Sequence, residues 1–133
     1  MLSIVEICQQ KIFSHDEVNR LLPLVYRLTE EVSKEVKSLV QCLETLPDKA
    51  SERALELEAR VDSHIHNWQG KIKRLGGHPK GLWLVDFDKG NGYYCWKFPE
   101  TKVSYVHGYK DGFSGRKLLE GEVLHDQNSS RPD

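Results

Sequence analysis

The sequence predicts an α+β domain: a long antiparallel helical hairpin followed by a three-stranded antiparallel β-meander. Apolar residues recur at spacings of three and four from Leu21 to Leu46, and again from Ala54 to Leu75, which marks two amphipathic helices. After Pro79 the period shortens to about two and the residues become β-branched and aromatic, the pattern of short strands. At 133 residues the chain has room for one core and not for two. A single domain over 1–120 is expected, with the hairpin at 14–76, the sheet at 81–107, a turn segment at 108–118 and a polar, disordered tail at 121–133.

Ser14-His15-Asp16-Glu17 reads as a capping box, in which the hydroxyl and the Glu17 carboxylate satisfy backbone N–H groups at the start of the first helix. Leu21, Val25, Leu28, Val32, Val36, Leu39, Leu43 and Leu46 then form its apolar stripe. Pro23 falls inside the stripe and cannot donate to the Asn19 carbonyl, so a kink near the second turn is expected. Pro47-Asp48 ends the pattern, and Asp48 or Ser51 can cap a second helix. Ala54, Leu57, Val61, Ile65, Trp68, Ile72 and Leu75 form the second stripe, and Gly76-Gly77 suits a left-handed C-terminal cap. Two helices of this length joined by a short turn pack antiparallel, and the apolar surface they carry implies a partner surface.

Leu82–Phe87, Tyr93–Phe98 and Val103–His107 are the expected strands. Asp88–Gly92 contains an Asn-Gly pair suited to a hairpin turn, and Pro99–Lys102 joins the second strand to the third. Pairing Phe98 with Val103 gathers Tyr94, Trp96 and Phe98 with Val103 and Tyr105 on one apolar face. In that register Cys95 opposes Val106 and Tyr94 opposes His107, which puts Cys95 and His107 on opposite faces.

A formal net charge of -1, with neither half strongly charged, gives no basic face for nucleic acid or anionic membrane. Glu6 interrupts Ile4, Val5 and Ile7, so neither a signal peptide nor a membrane span is expected. The three cysteines, Cys8, Cys42 and Cys95, are widely spaced and in no CxxC pattern, which points to reduced thiols and a cytoplasmic location.

Phe13-Ser14-x-x-Glu17-x-Asn19-x-Leu21-Leu22-Pro23, then Leu84-Val85-Asp86-Phe87, Cys95-Trp96, Tyr105-x-His107 and Gly112-Phe113-x-Gly115-Arg116, resemble a bacterial family known as domain of unknown function 2203. The likeness runs from about Ile12 to Leu118. It implies the architecture and marks positions without naming a reaction. Val106 stands where that family typically has an aromatic residue, and Gly76–Gly81 is shorter than its usual connection.

Asp86, Cys95 and His107 supply a carboxylate, a thiol and an imidazole, the usual ligands of a transition metal, one on each expected strand. The same set can serve as a thiolate–imidazole pair. Against this stand plainer readings: Cys95 as a small buried hydrophobe, His107 as a strand-end cap, Asp86 as an acceptor for turn N–H groups. Arg116, beside two glycines, has the bidentate fork that fits a carboxylate or phosphate, although a turn explains the glycines as well. His64 and His66 diverge by about 200° on a helix, and His15 and His78 flank helix ends, where exposed histidines are common. Lys71, Lys73, Arg74 and Lys80 suit the C-terminal helix dipole without any anionic partner.

The expected function is a noncatalytic binding or assembly module, a homodimer or partner-docking hairpin with an aromatic-lined pocket near His107. Asp86, Trp96, Tyr105, His107, Phe113 and Arg116 are the candidate ligand-binding residues. The alternative is a small metal- or thiol-dependent enzyme using Asp86, Cys95 and His107, with Arg116 binding an anionic substrate. A transition metal is the one cofactor these residue types point to.

Overall fold

Two helices and a five-stranded antiparallel sheet make up the structure, a computed structural model that describes residues 11–119. Cys8 and the 121–133 tail lie outside the described residues. Helix α1 spans His15–Glu44 and α2 spans Glu52–Arg74. The strands are β1 (His78–Gly81), β2 (Leu84–Asp88), β3 (Tyr93–Lys97), β4 (Tyr105–His107) and β5 (Lys117–Leu118), ordered in the sheet as in the chain. A single 3-10 turn, Phe113–Gly115, lies between β4 and β5.

The capping box is present at α1: Glu17 N–H donates to Ser14 Oγ at 3.1 Å, and Ser14 N–H donates to Glu17 Oε1 at 2.8 Å. The helix continues through Pro23. At its far end the Lys49 ammonium donates to the carbonyls of Leu43, Glu44 and Leu46, supplying the last turn with the donors that helix geometry leaves out. Ser51 caps α2 by accepting from Ala54 N–H. Gly76, at φ 98°, closes α2 with a Schellman pair, its own N–H to Lys73 O and that of Gly77 to Ile72 O.

The sheet is wider than a three-stranded meander. His78–Gly81 is an edge strand, tied to β2 through the tight Leu82-Trp83 turn, and Lys117–Leu118 closes the other edge against β4. Neither carries the alternating apolar pattern of a half-buried strand, because edge strands bury little. Pro79, which lacks an N–H, is tolerated there for the same reason. In the Asp88–Gly92 loop the positive φ angles fall on Gly90 and Gly92, so Asn91 is not in the left-handed region.

The β3–β4 register is one residue away from the apolar-consistent choice. Tyr93 pairs with His107, Tyr94 with Val106 and Cys95 with Tyr105. Phe98 and Val103 both lie outside that ladder. Phe98 N–H donates to Trp83 O, and Val103 is held on α1, its N–H by Asn19 Oδ1 and its carbonyl by His15 Nε2. His15 is half-buried and stacks on Tyr94 at 5.5 Å, so it is a structural clamp and not an exposed helix-end histidine. Asn19 and His15 therefore tie the β3–β4 connection to α1 in this register.

One sheet face, with Val85, Phe87, Tyr94 and Trp96, packs on Val18, Leu22, Val25, Trp68 and Ile72 of the helices to form the core. The far ends of the helices cover each other, burying Val36, Leu39, Ala54 and Leu57. No helix among the described residues is long and apolar enough to cross a membrane.

Candidate metal centre

The opposite sheet face carries the chemistry. Residues paired across an antiparallel ladder point the same way, so His78, Asp86, Cys95 and Tyr105 form one row across β1 to β4. His107, paired with Tyr93, falls on the same face two residues from Tyr105. Cys95 and His107 are therefore neighbours, not residues on opposite faces. The ligand atoms of Asp86, Cys95 and His107 lie within 4.8 Å of one another, the one such group among the described residues. Their exposures are 2%, 0% and 7%.

Hydrogen bonds constrain what this group can hold. His107 Nδ1 donates to the Gly108 carbonyl at 2.8 Å, which leaves Nε2 as the atom facing Asp86 Oδ2 at 3.0 Å. Two lone pairs that close repel unless a proton or a metal cation lies between them. The other carboxylate oxygen, Asp86 Oδ1, is buried with no hydrogen-bond partner among the described residues. The Lys80 ammonium is a distant counter-charge, 3.9 Å from Asp86 Oδ2 and 4.4 Å from the Tyr93 ring centre. Burial, with the Asp86 carboxylate adding to it, pushes the Cys95 thiol from 9.0 up to about 12, against the opposing pull of the Arg116 guanidinium. Without a metal this cysteine is a neutral thiol at physiological pH and a poor nucleophile.

Residues 108–116 run over this face as a strap. Tyr109 donates its hydroxyl to Asp88 Oδ1 at 2.7 Å, and its ring meets Tyr93 edge-on at 5.1 Å. The Arg116 guanidinium sits between the rings of Tyr105, at 3.9 Å, and Phe113, at 4.3 Å. Both its Nη atoms donate to the Glu100 carboxylate, at 3.2 and 2.6 Å. Glu100 thus occupies the bidentate fork that an anionic substrate would need. Gly92 lets the strands close up here: a Cβ on it would lie 2.7 Å from the His107 carbonyl oxygen.

Of the expected ligand-binding residues, Asp86, Tyr105, His107, Phe113 and Arg116 share this face. Trp96 does not; it is in the core on the other side, its indole N–H donating to Glu100 O. The aromatic rings near His107 cover the site instead of lining a pocket. The cavity beside His107, about 190 Å³, is walled by polar residues, among them Lys89, Asn91, Asp111 and Lys117. His78, expected as an exposed histidine at a helix end, is instead half-buried on β1, and that strand, which has no periodic signal in the sequence, brings it opposite Asp86.

A family model for an uncharacterized conserved protein, DUF2203, matches residues 11–119. The chain belongs to the DUF2203 family. That span contains every motif carrying the resemblance, so the Phe13–Pro23 segment and the Asp86, Cys95 and His107 positions are DUF2203 positions. No curated protein and no solved structure matches this DUF2203 chain.

Proposed function

We propose that this domain is a noncatalytic binding module whose ligand is a divalent transition-metal ion, held by Asp86, Cys95 and His107. The observation that carries the reading is the meeting of three different ligand atoms within 4.8 Å in a buried setting. Asp86 Oδ1, which has no hydrogen-bond partner among the described residues, and the 3.0 Å approach of His107 Nε2 to Asp86 Oδ2 add to it. A buried carboxylate oxygen without a hydrogen-bond partner is costly, and a bound cation would satisfy it. Thiolate, imidazole and carboxylate together favour Zn²⁺ or Co²⁺ over Mg²⁺ or Ca²⁺, which take oxygen ligands. The hydrogen bond from His107 Nδ1 to a carbonyl is the outer-shell contact that fixes Nε2 as the ligating atom.

The enzyme alternative has less support. A thiol raised to about 12 is a weak nucleophile, and Arg116 is already spent on Glu100. A homodimer through the hairpin also has less support than the metal centre, because Val36, Leu39, Ala54 and Leu57 are covered within one chain. Light scattering at high concentration tests it. A reducing compartment, the bacterial cytoplasm, fits the free Cys42 and Cys95 thiols.

Elemental analysis of the full chain, purified without a metal-affinity tag, tests the metal reading. One zinc or similar ion per chain is expected, lost in Cys95→Ala and Asp86→Ala. A wild-type chain that neither contains a transition metal nor takes up Zn²⁺ or Co²⁺ on titration overturns it.

A further inference from the structure

Four-coordinate sites for Zn²⁺ and Co²⁺ need a fourth donor beyond Asp86, Cys95 and His107. In a catalytic site that position is water, open to substrate; in a structural or sensing site it is a further side chain. We infer that His78 is the fourth ligand, so that the centre is coordinatively closed by two imidazoles, one thiolate and one carboxylate. The inference rests on the metal reading above and deepens it.

Three observations lead to His78. It is the direct cross-strand partner of Asp86, on the face that Asp86 shares with Cys95 and His107. Opposed side chains in such pairs start from Cβ atoms only about 4.5–5.5 Å apart. Second, His78 Nε2 is buried and has no hydrogen-bond partner among the described residues, the same condition as Asp86 Oδ1 beside it. Two buried orphans on adjoining strands, an imidazole nitrogen and a carboxylate oxygen, are explained together if both direct lone pairs at one cation between them. Third, the His78 and His107 rings both contact the Tyr93 ring, at 5.7 and 5.5 Å, which puts both imidazoles beside one residue of this face. His78 Nε2 lies outside the group of three atoms within 4.8 Å, so as the fourth ligand His78 must turn about its side-chain torsions when the ion binds.

The alternative occupants of the fourth position are water and the Lys80 amine. Lys80 is a strongly hydrated ammonium with two-fifths of its side chain exposed, engaged over the Tyr93 face. Its protonated nitrogen has no lone pair for a metal. Water in that position would leave the buried His78 Nε2 without a partner.

The test uses Co²⁺ as a spectroscopic probe in the full chain. Wild type should show a thiolate-to-metal charge-transfer band and the intense visible absorption of a tetrahedral site. His78→Gly should keep the charge-transfer band, lose the tetrahedral intensity and weaken Co²⁺ binding by at least tenfold, since even outer-shell partners contribute about 10–100-fold. Added imidazole should restore the wild-type spectrum in that variant. A second measurement needs no variant: on Zn²⁺ addition to ¹⁵N-labelled wild type, the His78 Nε2 and His107 Nε2 resonances should both move to metal-bound positions. An unmoved His78 Nε2, or a His78→Gly chain with wild-type spectrum and affinity, overturns this inference and leaves the three-ligand reading standing. A wild-type chain with no charge-transfer band overturns the three-ligand reading itself.

Discussion

At the scale of single residues, burial sets the chemistry of Cys95. Its thiol is raised from 9.0 to about 12, by burial first and by the Asp86 carboxylate second. A raised folded-state value means that the native chain keeps a proton the unfolded chain gives up. The stabilising contribution is fully present below about pH 9 and is lost as pH climbs toward 12. Urea midpoints of metal-free wild type are therefore expected to fall above about pH 9 more steeply than those of Cys95→Ala, which cannot titrate there. Parallel profiles would contradict this. The residue types of the site were readable from the sequence, since Asp86, Cys95 and His107 stand out as potential ligands in any register. Their convergence was not. Apolar patterning alone pointed to the other parity because aromatic residues occur on both faces: Tyr94 and Trp96 toward the core, Tyr93 and Tyr105 toward the site. Composition cannot choose between two aromatic faces. Contacts distant in sequence take part in that choice, among them Asn19 and His15, which grip Val103 across more than eighty residues.

At the scale of the elements, the helices followed their sequence signals closely because those signals are local. The capping box, the Ser51 cap and the glycine at the end of α2 each act within a few residues. Where the stripe drifted, a long-range contact was responsible. Thr29, not Leu28, is the fully buried residue at its turn of α1, because the Trp68 indole of α2 needs an acceptor there. Trp68 Nε1–H donates to Thr29 Oγ1 at 2.8 Å, and the same hydroxyl donates to the Val25 carbonyl at 2.7 Å. Thr29→Val preserves shape and removes the hydroxyl, leaving the buried Trp68 N–H without its acceptor and the Val25 carbonyl without that donor. A loss of about 1–3 kcal/mol in unfolding free energy is expected from urea titration, with part of it recovered when Trp68→Phe is added. The edge strands β1 and β5 escaped the sequence for the opposite reason: a strand that buries almost nothing leaves no periodic trace, yet β1 delivers His78.

At the scale of the molecule, the helices cover one face of the sheet and the 108–116 strap covers the other, so the Asp86–Cys95–His107 group is enclosed without a second layer of secondary structure. The strap is held at its ends by side chains: Tyr109 on Asp88, and Arg116 clasped by Glu100 between two rings. Such fastenings open as a local unit, at a lower free-energy cost than global unfolding. Exchange of the proposed ion would then have a clock of its own. With a chelator in growing excess, the rate of metal release should rise and then level off at the strap's opening rate, and Glu100→Gln should raise that plateau. A release rate strictly proportional to chelator concentration would mean the ion is reached directly. Residence time, and not affinity alone, would decide how long each chain keeps the metal it first acquires.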